Sequence, residues 1–269
     1  MPVIKYSQTP ISLTYIGSSY RVTANSASIS YAASLEPSRI LAPNQNNNFR
    51  INGPLAAKIS FSFVACNKTS YNAANILLNS LTGTGSSSIR IGNSEFSGCF
   101  CNSASVEITP FAPVIVSAEF TSTNMIVNQA FAAATGAPDT GELNGFLAHG
   151  YNTVVSNGAL LSDQNYESIS YRVSCARTPT FVLGQNKSTN MFLDGVEKEV
   201  SIKATNIGNF IAYSGYGDTL NINVKNDLGT SVFTPNLSMS ANSRIVSQNL
   251  SISENSILAG DISLREVIL

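Results

Sequence analysis

Ser28-Ile29-Ser30-Tyr31 recurs as Ser168-Ile169-Ser170-Tyr171, and this repeated stretch decides how the chain is interpreted. The two copies lie 168 − 28 = 140 residues apart. Four further pairs of segments match in the same order: Phe49–Gly53 with Met191–Gly195, Ile59–Phe61 with Val200–Ile202, Ile89–Asn93 with Ile222–Asn226, and Cys99-Phe100 with Val232-Phe233. Their separations are 191 − 49 = 142, 200 − 59 = 141, 222 − 89 = 133 and 232 − 99 = 133 residues, a drift that short loop insertions would produce. The order of the matches predicts one domain present twice.

The length of 269 residues suits two domains of about 130 residues each. We therefore predict a first domain over residues 1–135 and a second over residues 145–269. Residues 136–144 are the expected linker, because Gly136-Ala137-Pro138-Asp139-Thr140-Gly141 is rich in turn-forming residues.

Apolar residues alternate with polar ones along both halves, which is the pattern of half-buried antiparallel strands. Ile59, Phe61 and Phe63 alternate with serines, and Val200 with Ile202 repeats the habit. Hairpin turns are expected at five sites: Asn52-Gly53, Gly92-Asn93, Asn157-Gly158, Asp194-Gly195 and Asp227-Leu228-Gly229. The predicted fold class is mainly β, with two tandem homologous domains that are each a β-sandwich or small barrel.

One segment has helical rather than strand periodicity. Tyr71 to Leu81 places Ala74, Leu77, Leu78 and Leu81 on one face, with Ser70 as the expected N-cap. The second copy is 141 − 133 = 8 residues shorter here, which leaves only Ile207 to Tyr213 for an equivalent. A short helix beside the strands is therefore predicted at least in the first domain.

The charge content separates two interpretations of the surface. Only 12% of the residues are charged, against about 25% in typical soluble domains. An ordinary surface rich in Asn and Ser is one explanation, and a surface covered by partner subunits, whose interface cores are depleted in charge, is the favoured one. The net charge of −1 and the scattered basic residues argue against sequence-specific nucleic-acid binding.

The N-terminal residues, Met1-Pro2-Val3-Ile4-Lys5-Tyr6-Ser7, lack the apolar core of a signal peptide. No apolar run approaches the roughly 18 residues that span a bilayer. Synthesis in the cytoplasm and no membrane partner are therefore expected.

The chain has four cysteines that are candidate metal ligands: Cys66, Cys99, Cys101 and Cys175. Cys99-Phe100-Cys101 on a strand would direct both sulfur atoms to one face, yet no C-x₂-C spacing typical of zinc sites is present. A disulfide framework is disfavoured without a secretion signal. Buried, reduced thiols acting as small apolar residues are the prediction.

Residues that could carry catalysis are few and scattered. His149 is the single histidine, and a lone histidine in a loop is more often structural than catalytic. Gly92–Phe96 fails the last position of the serine-hydrolase elbow, and Gly83–Ser88 lacks the third glycine of a dinucleotide loop. Glu197 and Glu199 are interpreted as charges that protect a strand edge. No catalytic, cofactor or metal site is predicted, and the chain is not expected to be an enzyme.

The first half of each copy resembles a known family. Ser28–Tyr31, Leu35–Leu41, Asn52-Gly53-Pro54 and Lys58–Phe63 are similar to the N-terminal part of tail tube proteins and related tail structural proteins of tailed bacteriophages. Arg177–Gly184 followed by Asp194–Ile202 has the same order and spacing in the second copy.

The resemblance implies a β-sandwich with a flanking helix, six of which close a ring that stacks into a hollow tube for DNA. Three chains with two domains each would supply 3 × 2 = 6 domains, and a hexamer of two-domain chains is the alternative. The expected partners are further copies of the chain, then a tail sheath and baseplate or neck proteins, with DNA passing non-specifically through the lumen. The expected location is the virion tail.

Two other functions stay open on the sequence alone. A neck, baseplate or capsid-decorating protein could use the same fold without polymerising. A carbohydrate-binding or adhesive module would need exposed aromatic side chains, and the chain has no Trp but offers several tyrosines: Tyr151, Tyr166, Tyr213 and Tyr216.

Overall fold

The structure is a computed structural model that describes residues 10–32, 35–38, 48–51, 56–92, 94–122, 147–157, 165–183, 188–205, 219–251 and 259–268. Strands dominate these residues, and one α-helix accompanies them. The predicted mainly β class is confirmed. In this part of the chain the large antiparallel sheet does not close into a barrel.

The elements fall into two halves along the chain. The first half contains β1 (Ile11–Tyr15), β2 (Ser18–Val22), β3 (Ala24–Ala32), β4 (Leu35–Ser38), β5 (Asn48–Ile51), β6 (Ala56–Val64), α1 (Lys68–Thr82), β7 (Ser87–Ile91), β8 (Ser94–Ile108) and β9 (Ile115–Ser122). The second half contains β10 (Val154–Asn157), β11 (Asn165–Phe181), β12 (Ser188–Thr205), β13 (Leu220–Asn223), β14 (Leu237–Met239), β15 (Arg244–Ser251) and β16 (Ala259–Ile268).

Eight strands form one continuous antiparallel sheet, which we call the main sheet. Its order is β3-β6-β9-β8-β11-β12-β16-β15. The first four strands come from the first half and the last four from the second. The halves therefore meet edge to edge where β8 pairs with β11, with Val106 opposite Tyr171.

Two groups of the remaining strands cover the apolar face of the main sheet, whereas β4 and β5 pair only with each other among the described residues. In the first half β2, β1 and β7 continue onto the beginning of β8, which changes layer near Gly98, a residue with φ of 62°. In the second half β10, β13 and β14 form a separate small sheet. The Tyr171 hydroxyl donates to the Ser238 carbonyl at 3.4 Å, so β14 lies over β11.

A single apolar core runs through both halves. The alternation predicted from the sequence is present: Ile59, Phe61 and Phe63 are buried, while the residues between them are exposed or half-buried. Phe61 stacks on Phe120 at 5.9 Å between ring centroids. The buried residues of both halves belong to one cluster, so the halves share an apolar interface.

The two halves nevertheless use the same pairing scheme. The order β3-β6-β9-β8 in the first half corresponds to β11-β12-β16-β15 in the second, with every neighbour antiparallel. The distal hairpins also correspond, because Pro37 is opposite Phe49 in β4–β5 and Pro179 is opposite Met191 in β11–β12. Both residues of the second pair follow the first by 142 positions (179 − 37 and 191 − 49).

Two β-bulges recur at matching places and fix the alignment of the halves. The register between β3 and β6 shifts after Ala24, opposite Phe63, and that between β11 and β12 shifts after Tyr166, opposite Ala204. The separations are 166 − 24 = 142 and 204 − 63 = 141. The second bulge follows Cys101, opposite Phe120, and recurs after Ile245, opposite Leu264. These separations are 245 − 101 = 144 and 264 − 120 = 144.

An alignment by these bulges differs from the sequence repeat in two details. It places Ser28 against Ser170, two residues beyond the identical Ser-Ile-Ser-Tyr match, and a slip of two keeps each side chain on the same face of a strand. Val232-Phe233 does not correspond to Cys99-Phe100, because it lies between β13 and β14 whereas Cys99 lies within β8. The pairing places Leu237 opposite Ile222, as Phe96 is opposite Ile89.

The predicted helix is confirmed, but its cap is different. α1 begins three residues earlier than predicted, and Asn67 is the N-cap, whose side chain accepts from the Ser70 backbone N–H at 2.7 Å. The Ser70 hydroxyl accepts in return from the Asn67 N–H at 3.0 Å, which completes a capping box. Leu77 and Leu81 are buried as predicted, whereas Leu78 is only half-buried.

The predicted turns have mixed outcomes. Gly92 and Gly229 have positive φ angles of 59° and 76° and lie in turns, as predicted. Asp194-Gly195 is not a turn: it lies inside β12, where the register shifts because Ala176 faces Gly195 while Arg177 faces Leu193. Five predicted features lie wholly or partly outside the described residues: the Asn52-Gly53 turn, Asn93 of the Gly92-Asn93 turn, Gly158 of the Asn157-Gly158 turn, the linker 136–144, and the second helical candidate Ile207 to Tyr213.

Candidate functional site

The residues considered for chemistry do not assemble into a reactive centre. His149 lies where the second half enters the core, next to Ala148, whose N–H donates to the Ala65 carbonyl at 2.9 Å. The centroid of its ring lies 5.0 Å from that of the Tyr151 ring. Its Nδ1 is buried without a hydrogen-bond partner among the described residues. In the same residues no group of three or more His, Cys, Asp or Glu side chains could hold a metal ion.

The cysteines behave as small apolar residues. Cys99 and Cys101 are buried on the same face of β8, as the C-x-C spacing predicts, while Cys66 and Cys175 are half-buried, and all four are free thiols. Burial raises the pKa of both Cys99 and Cys101 to about 12. These two thiols therefore stay protonated and are poor nucleophiles at neutral pH.

The interpretation of Glu197 and Glu199 as edge charges is wrong. Both lie on β12, which is paired on both sides, by β11 and β16. Glu197 instead pairs with Arg265 on β16 at 2.7 Å. Among the four tyrosines, Tyr166 packs against the core, and exposed Tyr151 donates to Asp227 at 2.6 Å. Tyr213 and Tyr216 lie outside the described residues.

The most extensive candidate surface is the outward face of the main sheet, which we call the serine face. Because side chains alternate across a strand, the apolar residues of each strand point to the core and the residues between them point outward. Fourteen of these outward positions are serines, and none of them is buried: Ser26, Ser28, Ser30, Ser60, Ser62, Ser103, Ser105, Ser117, Ser168, Ser170, Ser174, Ser201, Ser247 and Ser263. The period-two spacing of these serines is a sequence signal of half-buried strands, and it does not by itself indicate a functional surface.

Neighbouring serines on this face bind one another across strands. The hydroxyls of Ser28 and Ser60 are 2.7 Å apart, and those of Ser26 and Ser62 are 2.8 Å apart. Such pairs hold hydroxyl groups in fixed positions on a hydrated surface. The face crosses the boundary between the halves, where the Ser170 hydroxyl donates to the Glu107 carboxylate at 2.7 Å.

Charges on the serine face balance. Outside the β-bulges, the outward strand positions of this face carry five cationic and five anionic side chains: Lys58, Arg172, Lys203, Arg244 and Arg265, with Glu107, Glu119, Glu197, Glu199 and Asp261. The bulges add two exposed carboxylates, Glu167 on β11 and Asp194 on β12. Some of them pair across strands, as Lys58 does with Glu119 at 4.0 Å. The face therefore presents hydroxyls and compensated charges rather than a field of one sign.

The two outermost strands of the main sheet are open. Among the strands that the structure describes, β3 pairs only with β6, and β15 pairs only with β16. Each edge carries a half-buried apolar residue that packs against the core, Ile29 on β3 and Leu250 on β15. An uncovered strand edge is a template for pairing with another chain.

A third surface is the distal end of the β11–β12 hairpin, which we call the hairpin tip. Its exposed large apolar side chains are Phe181, Val182, Leu183 and Phe192. Leu183 is fully exposed, and the Thr178 hydroxyl donates to the Asp194 carboxylate beside the tip. Large apolar patches on a protein surface are often interaction sites, so these exposed side chains make the hairpin tip a candidate surface.

The two halves are locked together near α1. Arg177 on β11 donates through one guanidinium nitrogen to the carbonyls of Ser80, Leu81 and Gly83, at 3.1, 2.9 and 2.9 Å. These carbonyls belong to the C-terminal end of α1, where backbone acceptors lack partners within the helix. The Asn75 side chain donates to the Val232 carbonyl at 3.1 Å and accepts from the Thr234 N–H at 2.9 Å. These hydrogen bonds join α1 of the first half to β11 and to the segment before β14 in the second half.

Among the described residues, no helix has the length and apolar character needed to cross a membrane. Comparison with protein-family models gives no match to this chain. Comparison with curated proteins gives no significant match either.

Proposed function

We propose that the chain is a structural subunit of a bacteriophage tail tube, which assembles into rings that stack into a channel for DNA. The observation that carries the proposal is the pairing of β8 with β11, which joins two halves of equal strand order edge to edge. We further propose that the halves are copies of one ancestral domain. The matching bulges after Ala24 and Tyr166, and after Cys101 and Ile245, support this duplication.

Ring closure follows from the way the halves are joined. The contact is heterologous, because the two halves contribute different strands. In the order of the sheet, the first half contributes its final strand, β8, and the second half its initial strand, β11. Repetition of a heterologous contact gives a closed ring or an open filament. Both strands needed for repetition, β3 and β15, have one unpaired edge within the described part of the chain. Three chains would bring six halves into a ring, and six chains would bring twelve.

The size of such a ring suits a channel. Each chain contributes eight strands of the main sheet, so a ring of three has 3 × 8 = 24. Barrels of about 16–18 strands already leave an aqueous channel. Because the second layer and α1 cover the apolar face of the sheet, the serine face is the surface that would line the lumen.

The serine face has the chemistry that passage of DNA requires. Affinity for the phosphate backbone comes from uncompensated Lys and Arg side chains that displace counterions. Here the charges balance, and the remaining surface is hydroxyl groups that keep their water. DNA would move along such a wall without being held.

The hairpin tip supplies a contact between rings. Leu183 and Phe192 lie at the end of a long two-stranded extension that leaves the main sheet. Burying such side chains against a neighbouring ring would remove apolar area from water, at roughly 25 cal/mol per Å². In a virion, the rings at the ends of the stack would contact baseplate or neck proteins, and the outer layer could receive a sheath.

Electron microscopy and mass photometry of the purified protein test this proposal. Rings of three or six chains, and tubes at higher concentration, are the expected result. Closed rings that do not stack at any concentration would indicate a neck, baseplate or decorating protein instead. A monomer that persists at high concentration would contradict the assembly altogether.

A further inference from the structure

We infer that β15 of one chain pairs antiparallel with β3 of a second copy, in a register that the internal β8–β11 junction specifies. The inference rests on the proposed function, since it describes the contact that closes the ring. The two bulges supply the conversion between the halves. A residue of β8 corresponds to the residue 144 positions later in β15, and a residue of β11 to the residue 142 positions earlier in β3.

The known junction then translates residue by residue. Ser105 is opposite Arg172 in the chain, and these correspond to Asn249 (105 + 144) and Ser30 (172 − 142). Val106 is opposite Tyr171, and these correspond to Leu250 and Ile29. The predicted contact therefore sets Asn249 against Ser30 on the serine face and Leu250 against Ile29 on the core side.

Burial at the two edges agrees with this assignment. At the internal junction Val106 is 0% exposed and Tyr171 is 5% exposed. The corresponding Leu250 and Ile29 are only half-buried in the single chain, although both already contact the core. Pairing of the edges would complete the burial of these two side chains and satisfy the open backbone groups of both strands.

Engineered disulfides test the register because they need Cα atoms within about 7 Å. The test variant is Ser30→Cys with Asn249→Cys, at two exposed positions. Within one chain these residues lie on opposite ends of an eight-strand sheet, roughly 30 Å apart at the usual strand spacing. A disulfide between them therefore has to join two chains.

The matched control is Ser28→Cys with Asn249→Cys. Ser28 is exposed on the same face of β3, and a slip of two residues moves the partner by roughly 7 Å along the strand. Mild oxidation followed by non-reducing electrophoresis should give covalent oligomers of the test variant whose largest species equals the ring. The control should give at least about tenfold less, because its Cα atoms lie beyond disulfide reach. Mixing the two single variants, Ser30→Cys and Asn249→Cys, should stop at covalent dimers.

The outcomes separate the inference from the function beneath it. If rings form but the test variant gives no disulfide, the register is overturned and the ring stands. The same conclusion follows if rings form and the control variant gives more disulfide than the test variant. A disulfide between residues 30 and 249 of the same chain would overturn the intermolecular contact. Absence of both rings and covalent oligomers would remove the proposed function together with the inference.

Discussion

At the scale of single residues, Arg177 is the side chain on which the joining of the two halves most depends. Its guanidinium reaches three carbonyls of the first half and its Nε donates to the Cys101 carbonyl at 3.3 Å. Hydrogen bonds from a charged donor contribute about 1.5–3 kcal/mol, and removing the donor leaves acceptors unpaired. We expect Arg177→Met to lower the free energy of unfolding by about 2–3 kcal/mol, measured by urea denaturation at fixed protein concentration.

Arg172→Met is the control for that substitution. Arg172 lies on the same strand but is exposed on the serine face, and such surface changes usually stay within about 0.5 kcal/mol. Equal losses from both variants would show that Arg177 does not hold the halves together.

Glu266 should make the stability of the protein depend on acid pH. Burial alone would raise its pKa, but hydrogen bonds from Ser240 and the charge of Lys198, at 3.6 Å, outweigh burial, so the pKa is lowered. A carboxyl whose folded pKa is depressed stabilises the fold above its unfolded pKa, about 4.3, and loses this contribution as pH falls through the folded value. Glu266→Gln should therefore reduce the urea midpoint at pH 7, and the gap to the unmodified protein should narrow below about pH 4.3.

Asp261→Asn controls for the loss of one carboxylate on the same strand. Asp261 is exposed on β16, and its replacement should shift the urea midpoint little at either pH. A constant gap between Glu266→Gln and the unmodified protein from pH 7 to the acid range would contradict the assignment.

At the scale of elements, local patterns predicted what local physics determines. Alternation predicted β6 and β12, because a strand with one buried face needs an apolar residue at every second position. Helical spacing predicted α1. The predicted N-cap, Ser70, was wrong, because Asn67 and Ser70 both have side chains that can cap a helix and the structure uses Asn67.

Non-local features could not be predicted in this way. Asp194-Gly195 has the composition of a turn, yet the chain continues as β12 because β11 is long enough to pair on both sides of the bulge. The local sequence indicates an edge position for Glu197. This is wrong because β16, which is far away in sequence, pairs with β12 and covers that edge. The pairing of β8 with β11 is likewise invisible locally, since each strand has the same alternation whichever partner it has.

The hairpin tip carries the prediction that belongs to this scale. Leu183→Ser combined with Phe192→Ser replaces two exposed side chains, so the fold of the chain should be unaffected. Rings should still close, because the main sheet is unchanged, but tubes should shorten or disappear in electron micrographs. Leu228→Ser, which changes an exposed leucine in a turn away from the tip, should leave tube length unchanged, and a matching loss of tubes there would contradict a specific role for the tip.

At the scale of the whole molecule, the fold separates an apolar interior from one neutral, hydroxylated face. The second layer and α1 cover one side of the main sheet, so the serine face is its remaining side and is continuous across both halves. A ring built by edge pairing would extend this face around a full circle without interruption. The cations and anions at the described strand positions would then repeat around the circle, so that this wall has no large excess of either sign.

That balance yields a test of what the lumen is for. Assembled protein should show no measurable affinity for duplex DNA at physiological salt, by fluorescence anisotropy. Ser60→Lys, Ser62→Lys and Ser117→Lys together would add three cations per chain to the serine face. Assemblies of this variant should retain DNA, and the affinity should fall steeply with salt because each neutralised phosphate releases counterions.

The control places the same kind of charge elsewhere. Ser18→Lys with Ser19→Lys adds cations at exposed positions of β2, which lies in the other layer. DNA confined within a ring should respond to the serine-face lysines and much less to those on β2. Equal retention of DNA by both variants would mean that any added positive charge suffices. Strong salt-dependent binding of DNA by the unmodified protein would contradict a wall that lets DNA pass, because retention and free passage require opposite surface electrostatics.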